Sequence, residues 1–271
     1  MSGECGFQVD VDPRSPGQFL ACCGLLEIAD RLWGASGWFE SECFRVTTSG
    51  SLAETLGALT HRDAEPDRVV LPDGCDVEAK DLISPLRITL SSAPPRSIRL
   101  DAWLKIQPDR GEIIAVGNPP WNFWSGQQTS LGIWRTLAQA LKQLPLSSVG
   151  RQLFSVRLPL SGRFGFDPGA AWNALDVGFS PNEQAMAVAS SPAIEMLAAV
   201  GVQRFRPDVD GNFETFRYAT WGAPLPPQAA SVAFRSSWTG TGGQRFVGRV
   251  VSRGSYAALG LSTLEKGFDR G

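Results

Sequence analysis

The 271-residue sequence predicts an α+β fold: an antiparallel sheet with a β-α-β opening, a short helical insert near 167–201 and a β-rich C-terminal end. Three observations carry that expectation. Residues 7–12 alternate apolar and polar, with Phe7, Val9 and Val11 against Gln8, Asp10 and Asp12, the period of a half-buried strand. Helix-start signals recur at Ser15-Pro16, Ser51, Asp167-Pro168, Ser180-Pro181 and Ser191-Pro192. From Phe213 onward the chain is β-rich, with a glycine turn at 239–243. It divides into an N-terminal part, 1–150, with a Trp-rich loop, and a C-terminal part, 151–271, or forms one continuous domain.

In order, Ser15, Pro16 and Gln18 open a helix by a capping box, and Phe19, Leu26, Ala29 and Trp33 give it an inward stripe. Glu27 pairs with Arg31 at i,i+4, and Gly34 stops the helix. Gly24 inside it costs about 1 kcal/mol relative to alanine, so another backbone is expected close by. Residues 38–48 read as the next strand, and Ser51 with Glu54 as a second capping box for a helix ending near Thr60. Residues 61–85 form an acidic, proline-broken excursion with a short apolar strand at 69–71. Strands follow near 86–90, 99–106 and 112–117. A helix carries Leu131, Trp134, Leu137, Leu141 and Leu144 on one stripe and is ended by Pro145. Residues 152–160 read as a strand. Three short helices follow, the third ending at Gly201, and then 202–207 is extended. Strands at 213–221, 231–238 and 244–252 complete the reading.

The stretch W-N-F-W-S-G-Q-Q-T-S-L-G-I-W, from Trp121 to Trp134, is organised as a rigid loop delivered by Asn118-Pro119-Pro120 onto a helix start. Trp121 and Trp124 are candidate stacking faces, and Gln127 and Gln128 candidate hydrogen-bonding groups, beside free helix N–H groups. Core burial is the competing reading for each ring.

Composition limits the chemistry. The 43% hydrophobic share is that of an ordinary soluble globular protein. No apolar run is long enough to span a bilayer and the start carries no leader pattern, so a cytoplasmic protein with no membrane partner is expected. Five cysteines without a C-x-x-C spacing argue against zinc. The lone His61 reads as exposed, which leaves little for a histidine-based catalyst. Asp12 is assigned to turn chemistry. No metal and no cofactor is expected.

The formal net charge of −2 conceals an asymmetry. Residues 1–135 hold 12 Lys and Arg against 18 Asp and Glu, and the remainder 13 against 9. No carboxylate lies between Glu112 and Asp167, or between Glu214 and Glu265. Arginine, which outnumbers lysine 21 to 4, suits bidentate phosphate contacts. The candidate nucleic-acid-binding residues are therefore Trp121, Trp124, Gln127, Gln128, Arg135, Lys142, Arg157, Arg163, Arg204, Arg206, Arg245, Arg249 and Arg253. A near-neutral pI argues against strong binding to bulk DNA by the chain alone and favours one basic face within a larger complex.

Asn118-Pro119-Pro120-Trp121 resembles the N-P-P-aromatic signature of S-adenosylmethionine-dependent amino-group methyltransferases, with Thr239–Gly243 as a glycine turn. No helix pattern or ribose-binding acid accompanies that turn. A longer resemblance covers V-D-V-D-P-R-S-P-G-Q-F-L-A-C-C-G-L-L-E-I-A-D-R-L-W (9–33), W-N-F-W-S-G-Q-Q-T (121–129), F-G-F-D-P-G-A-A-W-N-A-L-D-V-G-F-S-P-N-E-Q (164–184) and A-I-E-M-L-A-A-V-G-V-Q-R-F-R-P (193–207). These segments are similar to Csb-type proteins of type I-U (I-G) CRISPR loci, grouped with the large subunits of Cascade surveillance complexes. The resemblance implies a non-catalytic subunit acting in antiviral defence. It also implies as partners other Cascade subunits, crRNA, target double-stranded DNA and a helicase-nuclease recruited in trans. Larger members carry a helical C-terminal bundle, whereas this chain ends in strands. The competing expectations are a methyltransferase and a purely structural subunit.

Overall fold

Strand β1 (Phe7–Asp10) buries alternate side chains before the chain turns into helix α1 (Pro16–Trp33). The computed structural model describes residues 6–71, 83–109, 112–116, 121–124, 128–145, 149–169, 188–211, 214–235, 242–253 and 256–265. Ser15 caps α1 by accepting the Gln18 N–H, and Gly34, at φ 77°, ends it. The box is only half formed: Gln18 accepts from the Asp12 N–H at 2.8 Å, while the Ser15 N–H goes to the Asp12 carbonyl. Residues 38–48 fold as two strands, β2 (Ser36–Glu40) and β3 (Cys43–Thr47), bent at Ser41 with φ 54°. The polar run Glu40-Ser41-Glu42 spans the turn between them. β3 lies between β1 and β2, antiparallel to both.

The Ser51–Glu54 capping box is complete and opens α2 (Leu52–Thr60). His61 follows as an exposed cap residue. The apolar strand expected at 69–71 does not form. Val69 sits 81% exposed in a 3-10 turn, and the pairing strand is instead β4 (Ala64–Pro66). β4, β5 (Leu86–Leu90) and β6 (Arg96–Leu100) make an antiparallel sheet with Leu86, Ile88, Leu90, Ile98 and Leu100 buried. The chain then bends at buried Ala102 and Trp103, where the Gln203 side chain accepts the N–H groups of Asp101 and Ala102. β7 (Lys105–Asp109) and β8 (Glu112–Val116) form a hairpin. α3 (Ser130–Lys142) is capped by Thr129 and buries Trp134, Leu137 and Leu141 of the expected stripe, with Ile133 added and Leu131 only partly buried.

Residues 150–155 form a 3-10 turn where a strand is expected, and β9 (Leu158–Leu160) pairs with β10 (Val188–Ser190). The Ser180 box lies outside the described residues. α4 (Pro192–Arg204) begins at the Ser191 cap and runs past Gly201 to Arg204, buried from Pro192 to Val202. It is therefore a central helix and not part of a surface insert. α1 is equally buried from Pro16, Gly17 and Phe19 to Ala29. Helices without a continuous polar face belong inside, and these two pack on each other with the sheets around them.

The C-terminal sheet is antiparallel, in the order β11 (Asp208–Val209), β12 (Thr215–Ala219), β13 (Arg245–Arg253) and β14 (Tyr256–Leu259), with β15 (Thr263–Leu264) also on β13. The strand expected at 231–238 is replaced by helix α5 (Pro227–Ala233) and its cap Phe234. Proline suits a first helical turn, and the Ala-rich run that follows favours helix. β14 and β15 have no counterpart in the sequence reading. The two sheets that contain β3 and β13 share one aromatic core: Phe19 packs on Phe39, Tyr218, Trp221 and Phe234, and Trp221 donates its indole N–H to the Gly37 carbonyl. This buried cluster draws on residues from Phe7 to Leu259. Among the described residues no helix is long and apolar enough to cross a membrane.

Candidate nucleic-acid interface

Two arginines come together on the β4-β5-β6 sheet. Antiparallel register sets Arg87 of β5 directly opposite Arg99 of β6, and alternation turns both away from the leucine and isoleucine face. Like charges so placed destabilise a sheet. One carboxylate offsets them: Asp67, whose side chain is 1% exposed, accepts Arg87 Nε and Nη2 at 3.1 and 2.8 Å and Arg99 Nε at 3.1 Å. Burial pushes the Asp67 carboxyl up, but the two arginines outweigh it and hold it below the usual carboxylate range.

Arg31 completes the cluster from the last turn of α1. Its Nη1 donates to the Ser97 carbonyl at 2.6 Å, and its Nε and Nη2 hold Glu27 at 2.7 Å. Glu27 is shared with Arg204, whose Nε lies 2.6 Å from it. Burial raises Glu27 too, and again its two arginines outweigh that and lower it. Arg31, Asp67, Arg87, Ser97 and Arg99 line an open cleft of about 440 Å³. Arg87 and Arg99 side chains remain 42% and 49% exposed. Of the five N–H groups of a guanidinium, Arg99 commits one among the described residues. The cleft thus gathers Arg99, which makes a single contact to Asp67, Arg87, which makes a two-pronged one, and Arg31, whose three nitrogens are engaged by Glu27 and Ser97. None of its arginines is among the residues that the sequence reading selected. The signal available there was the repeat of arginine at alternate-face positions of two adjacent strands.

The selected residues are dispersed. Trp121 and Trp124 are 2% and 9% exposed, which corrects their assignment as stacking faces. Trp124 meets Trp103 and Phe164 edge-on, and Trp121 packs against Phe123 and Phe216. Gln127 lies outside the described residues. Gln128 donates from Nε2 to the Ser161 carbonyl at 2.7 Å, tying the loop to the chain after β9. Arg135 pairs with Asp63 at 2.7 Å, and Lys142 is exposed on the last turn of α3. Arg204 and Arg206 do not share the face of an extended segment, because Arg204 ends α4 and turns to Glu27, while the Arg206 Nε is buried.

The acid-free windows do not stay acid-free in space. Carboxylates from outside them return: Asp10 to Arg151, Asp63 to Arg135, Asp167 to Arg157, and Glu265 to both Arg217 and Arg245. Arg163 is half-buried and contributes to the electrostatics of Glu195. On the outer face of β12 and β13, Arg249 stands exposed opposite Thr215, two positions along from Val247 and its neighbour Arg217. Arg253 ends β13, and only its backbone lies within the description. Asp12 does serve its turn, accepting the Arg14 N–H at 3.0 Å.

Asp167 and Glu195 form a second, interior cluster. Glu195, fully buried, accepts the N–H groups of Gly165, Phe166 and Asp167 at 2.8 to 3.2 Å. Asp167 accepts from Arg157, Gly169, Ser190 and Ser191. Burial, and then the neighbouring Asp167, raise the Glu195 carboxyl. With the oxygens of both groups engaged in holding the 163–169 loop against α4, this is a structural device.

Of the methyltransferase motif, 118–120 and 239–241 lie outside the described residues, and Gly242 and Gly243 lead toward strand β13 and not into a helix. Comparison with protein-family models, with curated proteins and with solved structures finds no match to this chain.

Proposed function

We propose that this chain is a non-catalytic, cytoplasmic subunit of a type I-U (I-G) CRISPR surveillance complex, contributing phosphate contacts to crRNA or to DNA flanking the target. The observation that carries the reading is the Arg87–Arg99 cross-strand pair, joined by Arg31 around one buried carboxylate. Asp67 offsets the like charges set face to face, and the part of the Arg99 fork beyond that one contact matches a phosphate. The resemblance supplies the complex. Two of its segments, 9–33 and 193–207, coincide with the central helices α1 and α4, so what they share with the family is the frame on which the cleft is built. A pI near 5.6 fits a subunit that binds weakly alone and acts beside partners.

The test is to purify the chain with the other products of its locus and crosslink the assembly to guide and target. Crosslinks to peptides spanning Arg87 and Arg99 are expected, together with no cleavage by the chain alone. Failure to enter the assembly, or crosslinks confined to other subunits, would overturn the proposal.

A further inference from the structure

We infer that the cleft between β5, β6 and the end of α1 is a site for a phosphate monoester, such as the phosphorylated end of a nucleic-acid strand. The inference rests on the reading of the cleft as a nucleic-acid contact and narrows it to one chemical group. Charge comes first. The lining residues carry three guanidinium groups and one carboxylate, an excess of two positive charges. An internal phosphodiester brings one negative charge, whereas a phosphate monoester brings about −1.5 to −2 near neutral pH. The monoester is the closer complement. Glu65, across β5 from Arg87 in register, lies outside the lining and acts on Arg87 only as the weakest of its charge contacts, and Glu27 behind Arg31 is balanced by Arg204.

Geometry agrees. Arg87 is fixed by a two-pronged contact to Asp67, Arg99 by a single one, and Arg31 by Glu27 and the Ser97 carbonyl. The three guanidiniums are therefore held in place before any ligand arrives, which lowers the ordering cost of binding. About 440 Å³ is more room than one phosphate needs, so the group that bears it fits as well. Among the described residues no aromatic side chain lines the cleft; only the arginine planes themselves could stack on a base, and recognition falls chiefly on the phosphate.

Isothermal titration of the whole chain with inorganic phosphate, adenosine 5′-monophosphate and adenosine tests this directly. Two single-stranded decanucleotides of one sequence, with and without a 5′-phosphate, complete the set. Phosphate and the monophosphate are expected to bind and adenosine not to. Arg99→Gln leaves Arg87 on Asp67, so the fold is retained, and it should weaken monophosphate binding about tenfold. Arg99→Lys should fall between. The phosphorylated decanucleotide should bind better than its 5′-hydroxyl twin, and Arg99→Gln should erase that preference. Adenosine binding as well as its monophosphate, or Arg99→Gln binding like the wild type, would overturn the site. Equal binding of the two decanucleotides, equally weakened by Arg99→Gln, would mean that an internal phosphate is read. That result would overturn the monoester assignment while leaving the nucleic-acid reading intact. Monophosphate binding by a chain that makes no crosslinks in the assembly would instead overturn the proposed function alone.

Discussion

Gly24 of α1 and Gly201 of α4 face each other across the central helix pair: a methyl group on Gly24 would overlap the Leu197 carbonyl oxygen, and one on Gly201 the Leu20 carbonyl oxygen. The obstacle in each case is backbone, which has no rotamer to escape into. Alanine favours an isolated helix by about 1 kcal/mol over glycine, but forced separation of two packed helices costs about 1–3 kcal/mol or more. Gly24→Ala and Gly201→Ala should each lower stability, by a net of about 0–2 kcal/mol or more. Gly57→Ala in α2, where a methyl meets nothing within 4 Å, should raise it by about 0.5–1 kcal/mol. Equal effects at all three positions would mean that the close approach of α1 and α4 is not what the glycines serve.

That close approach was legible at Gly24, because a glycine in the middle of a well-capped helix costs stability and needs a reason. Its partner was not. Nothing near Gly201 distinguishes a helix end from a helix crossing, so α4 reads as stopping there while it continues to Arg204. Caps at Ser15, Ser51 and Ser191 are local chemistry and survive folding. Pairing is not local. The Asp67–Arg87–Arg99 cluster joins residues 20 and 32 positions apart, and the arginines that look unopposed in sequence meet carboxylates from distant segments. For the same reason the Trp121 and Trp124 rings, conspicuous along the chain, proved to be core: the rings they pack on, Phe216 for one and Trp103 and Phe164 for the other, come from distant segments.

Asp67 should be a determinant of both stability and its acid limit. Its side chain neutralises Arg87 and Arg99, which are themselves half exposed and partly screened. Asp67→Asn should therefore cost about 1–2 kcal/mol at pH 7. Because the folded-state pKa is lowered, the contribution is fully present above the unfolded value near 3.9. It is lost as pH falls through the folded value. Denaturant midpoints measured from pH 7 down to pH 3 should show wild type and Asp67→Asn converging in acid. A constant gap would place the effect elsewhere.

Glu195 should act with the opposite sign. Burial raises its folded-state pKa, so the folded protein binds a proton that the unfolded chain has released. Stability from this group is greatest below the unfolded value, about 4.3, and falls as pH rises toward the folded value. In Glu195→Gln that fall is absent, although loss of an acceptor for the loop N–H groups costs about 1–3 kcal/mol throughout. The advantage of wild type over Glu195→Gln should shrink as pH rises from about 4 to 7. Parallel curves would show that Glu195 titrates alike in both states.

The exposed arginines should separate into those that bind and those that build. Arg204 is held by Glu27 at 2.6 Å, and Glu27 is also held by Arg31; Arg204→Gln removes one of two cations from a buried carboxylate. Its effect should be on stability, about 1–3 kcal/mol, with little change in how an assembled complex responds to salt. Arg249 has no such ion pair among the described residues. It stands exposed on β13 opposite Thr215, and side chains two apart on a strand are about 7 Å apart, close to the phosphate spacing of a single strand. If it contacts a phosphate, Arg249→Gln releases one fewer counterion. The slope of log affinity against log salt should then flatten by about 0.9 on duplex or about 0.7 on a single strand. Affinity of the assembled complex for target, measured across ionic strength for wild type, Arg249→Gln and Arg204→Gln, distinguishes the two roles. Parallel lines for Arg249→Gln would assign that sheet face to a protein neighbour, as in a purely structural subunit, and leave the β5–β6 cleft to carry the nucleic-acid reading.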